Sequence, residues 1–260
     1  MKLLVLVSRS GDHCNRLFQS LHFHAYCLEH KINFWNPTML GLLHKFIPLP
    51  DQLGDVLNNY LLKIPLDWSK RCFPKLLSLD PGNISSPIGL VAGWQYRSLA
   101  LTQKHHSTLA RFYQIQKPLS SDETNFLNFL ERKKHMGFVI VGLHVRRGDY
   151  KDFLGGKYYY QDLDYLKWSN QIREYYSKSF SKDVYIVVCS NEASTPKCGQ
   201  DSTSSYSWFV DLKIFQKCDL LIGAPSTFTA WASYVSKIPC IHFQDVHQDF
   251  DAEAATIIRG

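Results

Sequence analysis

A chain of 260 residues with 45% hydrophobic and 20% charged content has the makeup of a folded globular protein, long enough for one large domain or two small ones. Its 29 Lys plus Arg against 23 Asp plus Glu leave +6, a modest excess that suits an acidic ligand such as a nucleotide sugar, an anionic membrane face, or solubility alone. The basic residues are scattered singly, as at Arg16, Lys63, Lys167 and Lys213, which argues against nucleic acid, and no apolar stretch approaches the ~18 residues of a bilayer span, so any membrane contact is peripheral.

The start, Met1 to Val7, has the look of a signal peptide, but its apolar run stops at Ser8 without a small-residue cleavage site, and it reads as a first strand from Leu3. A Gly-containing turn follows, then Leu17, Leu21, His24, Ala25 and Leu28 recur at helical spacing between about Asn15 and His30. Lys31 to Trp35 suits a strand, Asp55 to Leu62 a helix ended by Pro65, and the stretch from Leu66 to Ser86, broken by Pro74, Pro81 and Gly82, reads as irregular. Ile88 to Trp94 is expected as a buried strand and Ser107 to Gln116 as a helix; after Lys117-Pro118, Ser120 and Glu123 have capping-box spacing at the head of a helix to about Lys134. The charged run Glu131-Arg132-Lys133-Lys134 is then its solvated end.

The second half alternates more regularly: strand Phe138 to Val145, helix Leu163 to Ser179, strand Val184 to Cys189, helix Ser207 to Lys217, strand Asp219 to Gly223, helix Ser226 to Ser236, strand Cys240 to Phe243. Continuously apolar strands separated by helices imply a parallel sheet covered on both faces. The expected fold is α/β in two lobes, 1–125 and 126–260, with Ala252 to Gly260 a returning helix or a frayed end. The cysteines Cys14, Cys27, Cys72, Cys189, Cys198, Cys218 and Cys240 are odd in number and form no CxxC pair, which suggests neither a zinc site nor a disulfide framework and points to a reducing compartment.

The densest polar cluster is Gly142-Leu143-His144-Val145-Arg146-Arg147-Gly148-Asp149-Tyr150, directly after an apolar run. Alternation along an extended chain sends His144 and Arg146 to one side and Val145 and Arg147 to the other, until Gly148 lets the backbone turn. Polar groups then gather at the carboxyl end of a strand, where open α/β sheets bind ligands. Two adjacent arginines leaving a buried strand need anionic partners, and a diphosphate matches the guanidinium fork. The plain alternative is an arginine pair bridged to Asp149 beside a satisfied core histidine. A second constellation runs from Asp211 to Phe228: Pro225 closes a strand-to-helix turn, leaving Ser226 or Thr227 as N-cap at a helix start that suits phosphate or is simply an ordinary cap. A third, the loop Ser10 to Gln19, contains Asp12, His13, Asn15 and Arg16 but lacks the Gly-Lys-Ser or Gly-Lys-Thr of a P-loop. The aromatic segment Gly93-Trp94-Gln95-Tyr96-Arg97 suits a core or a carbohydrate platform.

His144-Val145-Arg146-Arg147-Gly148-Asp149 resembles the H-x-R-R-x-D motif of the alpha-1,2-fucosyltransferase family and its alpha-1,6- and protein O-fucosyltransferase relatives. Gly11 to Gln19 resembles that family's G-x-x-x-N-x-L-F-Q loop, with Cys14 where glycine is usual; Gly93-Trp94-Gln95 is similar to its G-Y-F-Q segment, and Asp211 to Trp231 to its closing block. The resemblance implies two Rossmann-like lobes of the glycosyltransferase B (GT-B) type, the donor bound mainly by the second and the acceptor by the first. Arg146 and Arg147 hold the diphosphate in that reading, His144 and Asp211 read the guanine edge, and Ser226 and Thr227 contact the phosphates beside Phe228. Asn15 and Arg16 also fall on the donor side, and Asp12, His13, Trp94 and Gln95 on the acceptor side.

The implied activity is inverting transfer of L-fucose from GDP-fucose to a glycan hydroxyl, galactose O2 for the alpha-1,2 linkage. Fixed cations stabilise charge on the leaving diphosphate, and the chain has no Asp-x-Asp motif, so no metal and no other cofactor is expected. Arg146 and Asp149 are the implied catalytic pair, with Asp12 a second possible base; in the alpha-1,6 pattern the acid stands where this chain has Leu154. The alternatives are another nucleotide-sugar donor, another linkage, or a silent nucleotide- or glycan-binding protein. The acceptor is expected to be a soluble or lipid-linked glycan and the setting cytoplasmic.

Overall fold

The computed structural model describes residues 2–8, 11–42, 77–190, 192, 201–202 and 206–260. The helix expected over 55–62 and the first part of the irregular stretch, 66–76, lie outside the described residues. The chain divides into two compact units, Met1–Pro118 with Arg259–Gly260, and Leu119–Ile258.

In the first unit, strand β1 (Leu3–Leu6), helix α1 (His13–His30) and strand β2 (Asn33–Trp35) follow the expected order. Strands β3 (Leu77–Ser78) and β4 (Ile88–Val91) complete, among the described residues, a parallel sheet of order β2-β1-β4-β3. Leu4 and Leu6 of β1, Phe23 and Cys27 of α1, and Val91 of β4 form its core. Helix α1 ends at Lys31, left-handed at φ 53, where the backbone N–H returns to the carbonyl of Cys27. The expected strand to Trp94 stops at Val91, because Gly93 turns at φ +96 and donates its N–H to Ser8 Oγ at 2.7 Å instead of continuing the ladder. The expected helix over 107–116 is met by the shorter α3 (His106–Phe112), and an unexpected short helix, α2 (Leu99–Lys104), precedes it across a break at His105, whose ring meets Glu29 of α1 at 2.8 Å.

The second unit begins before α4 (Ser121–His135), so that helix lies wholly within it and is not divided at residue 125. Its capping box is formed: Glu123 N–H donates to Ser120 Oγ and Ser120 N–H to Glu123 Oε2. The elements β5 (Val139–Val145), α5 (Asp162–Phe180), β6 (Val184–Ser190), α6 (Trp208–Phe215), β8 (Leu220–Gly223), α7 (Thr227–Ser236) and β9 (Cys240–His242) match the expected alternation within two residues or so. The short strand β7 (Asp201–Ser202) is an addition, and the parallel order is β7-β6-β5-β8-β9. Every residue of β5 and β6 is buried, which is why their sequences are apolar without alternation. On one face Trp168 of α5 stacks on Phe243 with centroids 3.8 Å apart. On the other, Gly142 admits α6: a Cβ there would stand 2.8 Å from Phe215 and 2.9 Å from Cys218 Sγ.

The tail from Ala252 is not the expected helix. A 3-10 turn (Ala252–Ala254) is capped by Asp251, after which Thr256 exchanges main-chain hydrogen bonds with Cys240, so the open edge of β9 wins over local helix propensity. The carbonyl of Arg259 accepts from Thr102 and Gln103, both at 2.8 Å, in the first unit.

At the centre of the second sheet Gly223 sits at φ +148, and a Cβ there would lie 2.4 Å from the carbonyl oxygen of His144. Gly137 also has positive φ, +92, but open space around it. Both Ala variants therefore carry backbone strain of roughly 1–3 kcal/mol, and Gly223→Ala alone adds an overpacking cost of roughly 1–3 kcal/mol. Urea unfolding is expected to show Gly223→Ala as clearly the less stable of the two; equal midpoints would mean that β5 and β8 tolerate separation at this point.

Candidate active site

β5 runs between β6 on one side and β8 on the other, in the order 3-2-1-4-5 by chain position within the unit. Successive connections leave β5 and β8 in opposite directions, so a crevice opens beyond their carboxyl ends. The register pairs His144 with Gly223, which brings the loop after β5 beside the loop after β8. Tyr150 closes the span: its hydroxyl donates to the carbonyl of Pro225, and its ring lies beneath Arg146, whose guanidinium carbon is 5.4 Å from the centroid. Arg146 is thus tied to the start of α7, where Ser226 is the N-cap and its Oγ accepts the Phe228 N–H at 3.1 Å. The N–H groups of Thr227 and Thr229, also in the first turn, have no intrahelical acceptor and make this end favourable to an anion.

Acidic groups already sit on the donors of this crevice. Asp149 holds Arg146 through both carboxylate oxygens, 2.8 and 3.0 Å from Nη2. Glu192 accepts the N–H of Gly148 at 3.1 Å. Asp149 is therefore engaged by the guanidinium it follows in sequence, and to act as a base it must share that charge.

The expected alternation is visible in the contacts. His144 lies toward α6 and α7, its ring 5.1 Å from Phe228 and 5.9 Å from Phe215. It is 4% exposed and its Nδ1 has no partner. Burial above all, with the charges of Arg146 and His242, lowers its pKa to about 3, so the ring is neutral. Asp211 is buried on α6, one turn before Phe215. Arg147 leaves on the opposite face: it pairs with Asp162 at the first turn of α5 and lies 6.0 Å from the Tyr165 centroid. The two arginines expected to act as one clamp are divided between the two faces of the sheet.

In the first unit the residues read as ligand groups part company. Arg16 is 2% exposed, and its guanidinium donates to the carbonyl of Thr38, so its charge serves the interior of this unit. Asn15 lies with its amide over Gly11, which at φ +57 has no Cβ to obstruct it. Asp12 is the exposed N-cap of α1 but makes no side-chain cap, and His13 is half-buried in the first turn. Trp94 and Gln95 are exposed, with the Arg97 guanidinium 4.1 Å from the Trp94 centroid. What joins the two loops is Gln19, whose Nε2 donates to Ser8 Oγ and to the carbonyl of Gly93, both at 2.8 Å. The loops after β1 and β4 thus adjoin just as those after β5 and β8 do.

Four residues of these sites were not singled out by the sequence: Tyr150, Gln19, Glu192 and His242. Tyr150 closes the β5 motif and Gln19 the α1 motif, so their positions were marked but their roles were not. His242 was silent, because it joins the site only through the pairing of β9 with β8.

The profile of glycosyl transferase family 11 matches residues 93–256. Fucosyltransferase NodZ from Bradyrhizobium, in selenomethionine form, superposes with a TM-score of 0.54 at 15% identity over 94% of this chain and 95% of that one. NodZ alpha-1,6-fucosyltransferase co-crystallized with GDP gives 0.56 at 16% over 94% and 95%. A mutant of FUT1 from Arabidopsis thaliana in complex with GDP gives 0.52 at 12% over 98% of this chain and 73% of that one. No curated protein sequence matches the chain. At such identities the likeness shows a shared fold.

His144 and His22 are buried and His24 and His242 half-buried, and all four are held neutral. Burial is the leading cause in each, lowering His22, His24 and His242 from 6.5 to about 4 and His144 to about 3. Between pH 6.5 and about 4 the unfolded chain binds protons at these sites that the native chain refuses, so stability falls as the pH drops. Each histidine contributes a slope of up to roughly 1.4 kcal/mol per pH unit. Denaturant melts at pH 7.5, 6 and 5 are expected to show a steep loss across this window; a flat profile there would mean that the four rings are protonated in the native state.

Proposed function

Since the chain belongs to glycosyl transferase family 11, the alpha-1,2-fucosyltransferase family, we propose that it transfers L-fucose from GDP-fucose to a hydroxyl of a glycan acceptor, galactose O2 in the family's linkage. The observation that carries this reading is the meeting of Arg146 with the start of α7 through Tyr150, at the crevice of the second sheet where the loops after β5 and β8 diverge. Structures of NodZ co-crystallized with GDP and soaked with GDP-fucose, and of a FUT1 mutant in complex with GDP, support the same class of donor.

In this reading the second unit is the donor-binding lobe and the first the acceptor-binding lobe of a GT-B enzyme. The guanidinium of Arg146 and the N–H groups of Thr227 and Thr229 receive the diphosphate. As the bond from the anomeric carbon to phosphate breaks, charge grows on the leaving GDP, and a fixed cation about 4 Å away stabilises it by about 4 kcal/mol at an effective dielectric near 20. The acceptor oxygen bonds the anomeric carbon from the opposite face and inverts it. Its proton passes to a carboxylate, for which Asp149 is our assignment; with so good a leaving group a weak base suffices. This chemistry uses protein cations alone, so the proposal includes no metal cofactor. His144 shapes the guanine pocket through packing against Phe228 and Phe215, and Asp211 lies buried one turn before Phe215 on α6. We assign the reaction to a cytoplasmic setting; among the described residues no helix is long and apolar enough to cross a membrane.

Two measurements test this. GDP is expected to raise the melting temperature more than UDP or ADP at equal concentration, by an amount equivalent to about 2.7 kcal/mol at a hundred times its Kd. A panel in which UDP wins would reassign the donor, and GDP binding without any release of GDP from GDP-fucose would make the protein a silent binder. Arg146→Ala is expected to lower kcat at least ~100-fold with the fold intact, and Arg146→Lys to recover only part, because a point charge lacks the fork. Turnover of the Ala variant near wild type would remove Arg146 from the mechanism.

A further inference from the structure

His144, Gly223 and His242 are paired in register across three adjoining parallel strands, β5, β8 and β9. Laterally paired residues of a parallel sheet share a face, so the two imidazoles stand on the α7 side with no side chain between them. His144 packs on Phe228, the second residue of α7, and His242 reaches the third, Thr229, with Nε2 2.7 Å from Oγ1. Thr229 is fully buried, and its hydroxyl is 3.1 Å from the carbonyl of Ser226, to which it donates. A threonine has one hydroxyl hydrogen. With that hydrogen on Ser226, the bond from His242 must be donated by the ring, which fixes the Nε2–H tautomer.

The result is a directed chain, His242 Nε2–H to Thr229 Oγ1–H to the Ser226 carbonyl, ending at the residue that caps α7. The same turn is held from the other flank, where Tyr150 donates to the carbonyl of Pro225. A helix start tethered from β5 and from β9 has little freedom to shift along its axis, and a shift is what would misalign its N–H groups.

We propose that His242 is a positioning residue for the diphosphate-binding turn: through Thr229 it sets the place of the Ser226 cap without touching the ligand. The inference rests on the reading that this turn meets GDP, so one of its readouts is free of nucleotide. In the unliganded protein, nitrogen-15 NMR is expected to show His242 as the neutral Nε2–H tautomer and to show mixed tautomers in Thr229→Val, whose shape is preserved. With GDP as the probe, calorimetry is expected to give about tenfold weaker binding for Thr229→Val and for His242→Leu, and near wild-type binding for Thr229→Ser and His242→Gln, which keep the donors. Turnover at saturating GDP-fucose is expected to change much less than KM, since Arg146 is untouched. Folded Thr229→Val and His242→Leu proteins that bind GDP as wild type does would overturn the inference while leaving the nucleotide reading intact. Wild-type protein that fails to bind GDP would overturn both, and an Nδ1–H tautomer at His242 would overturn the relay whatever the nucleotide does.

Discussion

Two main chains touch in this protein because a side chain is missing. At Gly223 the strand β8 lies so close to β5 that a methyl group would strike the carbonyl of His144. That approach aligns the ends of the two strands, and everything chemical in the second unit hangs from their ends. Arg146 emerges from one, Ser226 from the other, and Tyr150 joins them. Were the strands offset by one residue, the alternation of side chains would send Arg146 to the face now occupied by Arg147, and the helix start would lose its cation.

Much of this was legible in the residues, though unevenly. The second unit announced itself because strands buried on both faces are written as unbroken apolar runs, and because Ser120 and Glu123 spell a reciprocal cap whose partners are local. Alternation along β5 likewise foretold that His144 and Arg147 would part. The first unit was harder, since its features depend on residues distant in sequence. The break at His105 answers to Glu29, 76 positions away, and the early end of β4 answers to Ser8 and Gln19. Strands of two residues, β3 and β7, lie at sheet edges and carry no periodicity to read.

The same distinction governs the site. Motif resemblance marks positions but not the direction in which a side chain leaves them. Arg16 sits within a motif that invites a ligand, yet its guanidinium serves the carbonyl of Thr38, a partner 22 residues on. Arg147 was grouped with Arg146 by adjacency, whereas Asp162 and Tyr165 take it to the other face of the sheet. His242 belongs with His144 only because β8 separates them by a single strand carrying glycine at that level. Where partners are set by tertiary pairing, neither spacing nor charge in the sequence identifies them.

The bond between Arg146 and Asp149 has a further bearing on selectivity. A guanidinium that rests on a carboxylate is no vacant socket, and an incoming anion gains only the difference between its own attraction and the one it displaces. Weakly charged or singly charged solutes offer little more than Asp149 does and leave the couple undisturbed. In the reaction we propose, a pyrophosphate brings several oxygens and more than one charge, which would draw Arg146 across and release the acid to take the acceptor's proton.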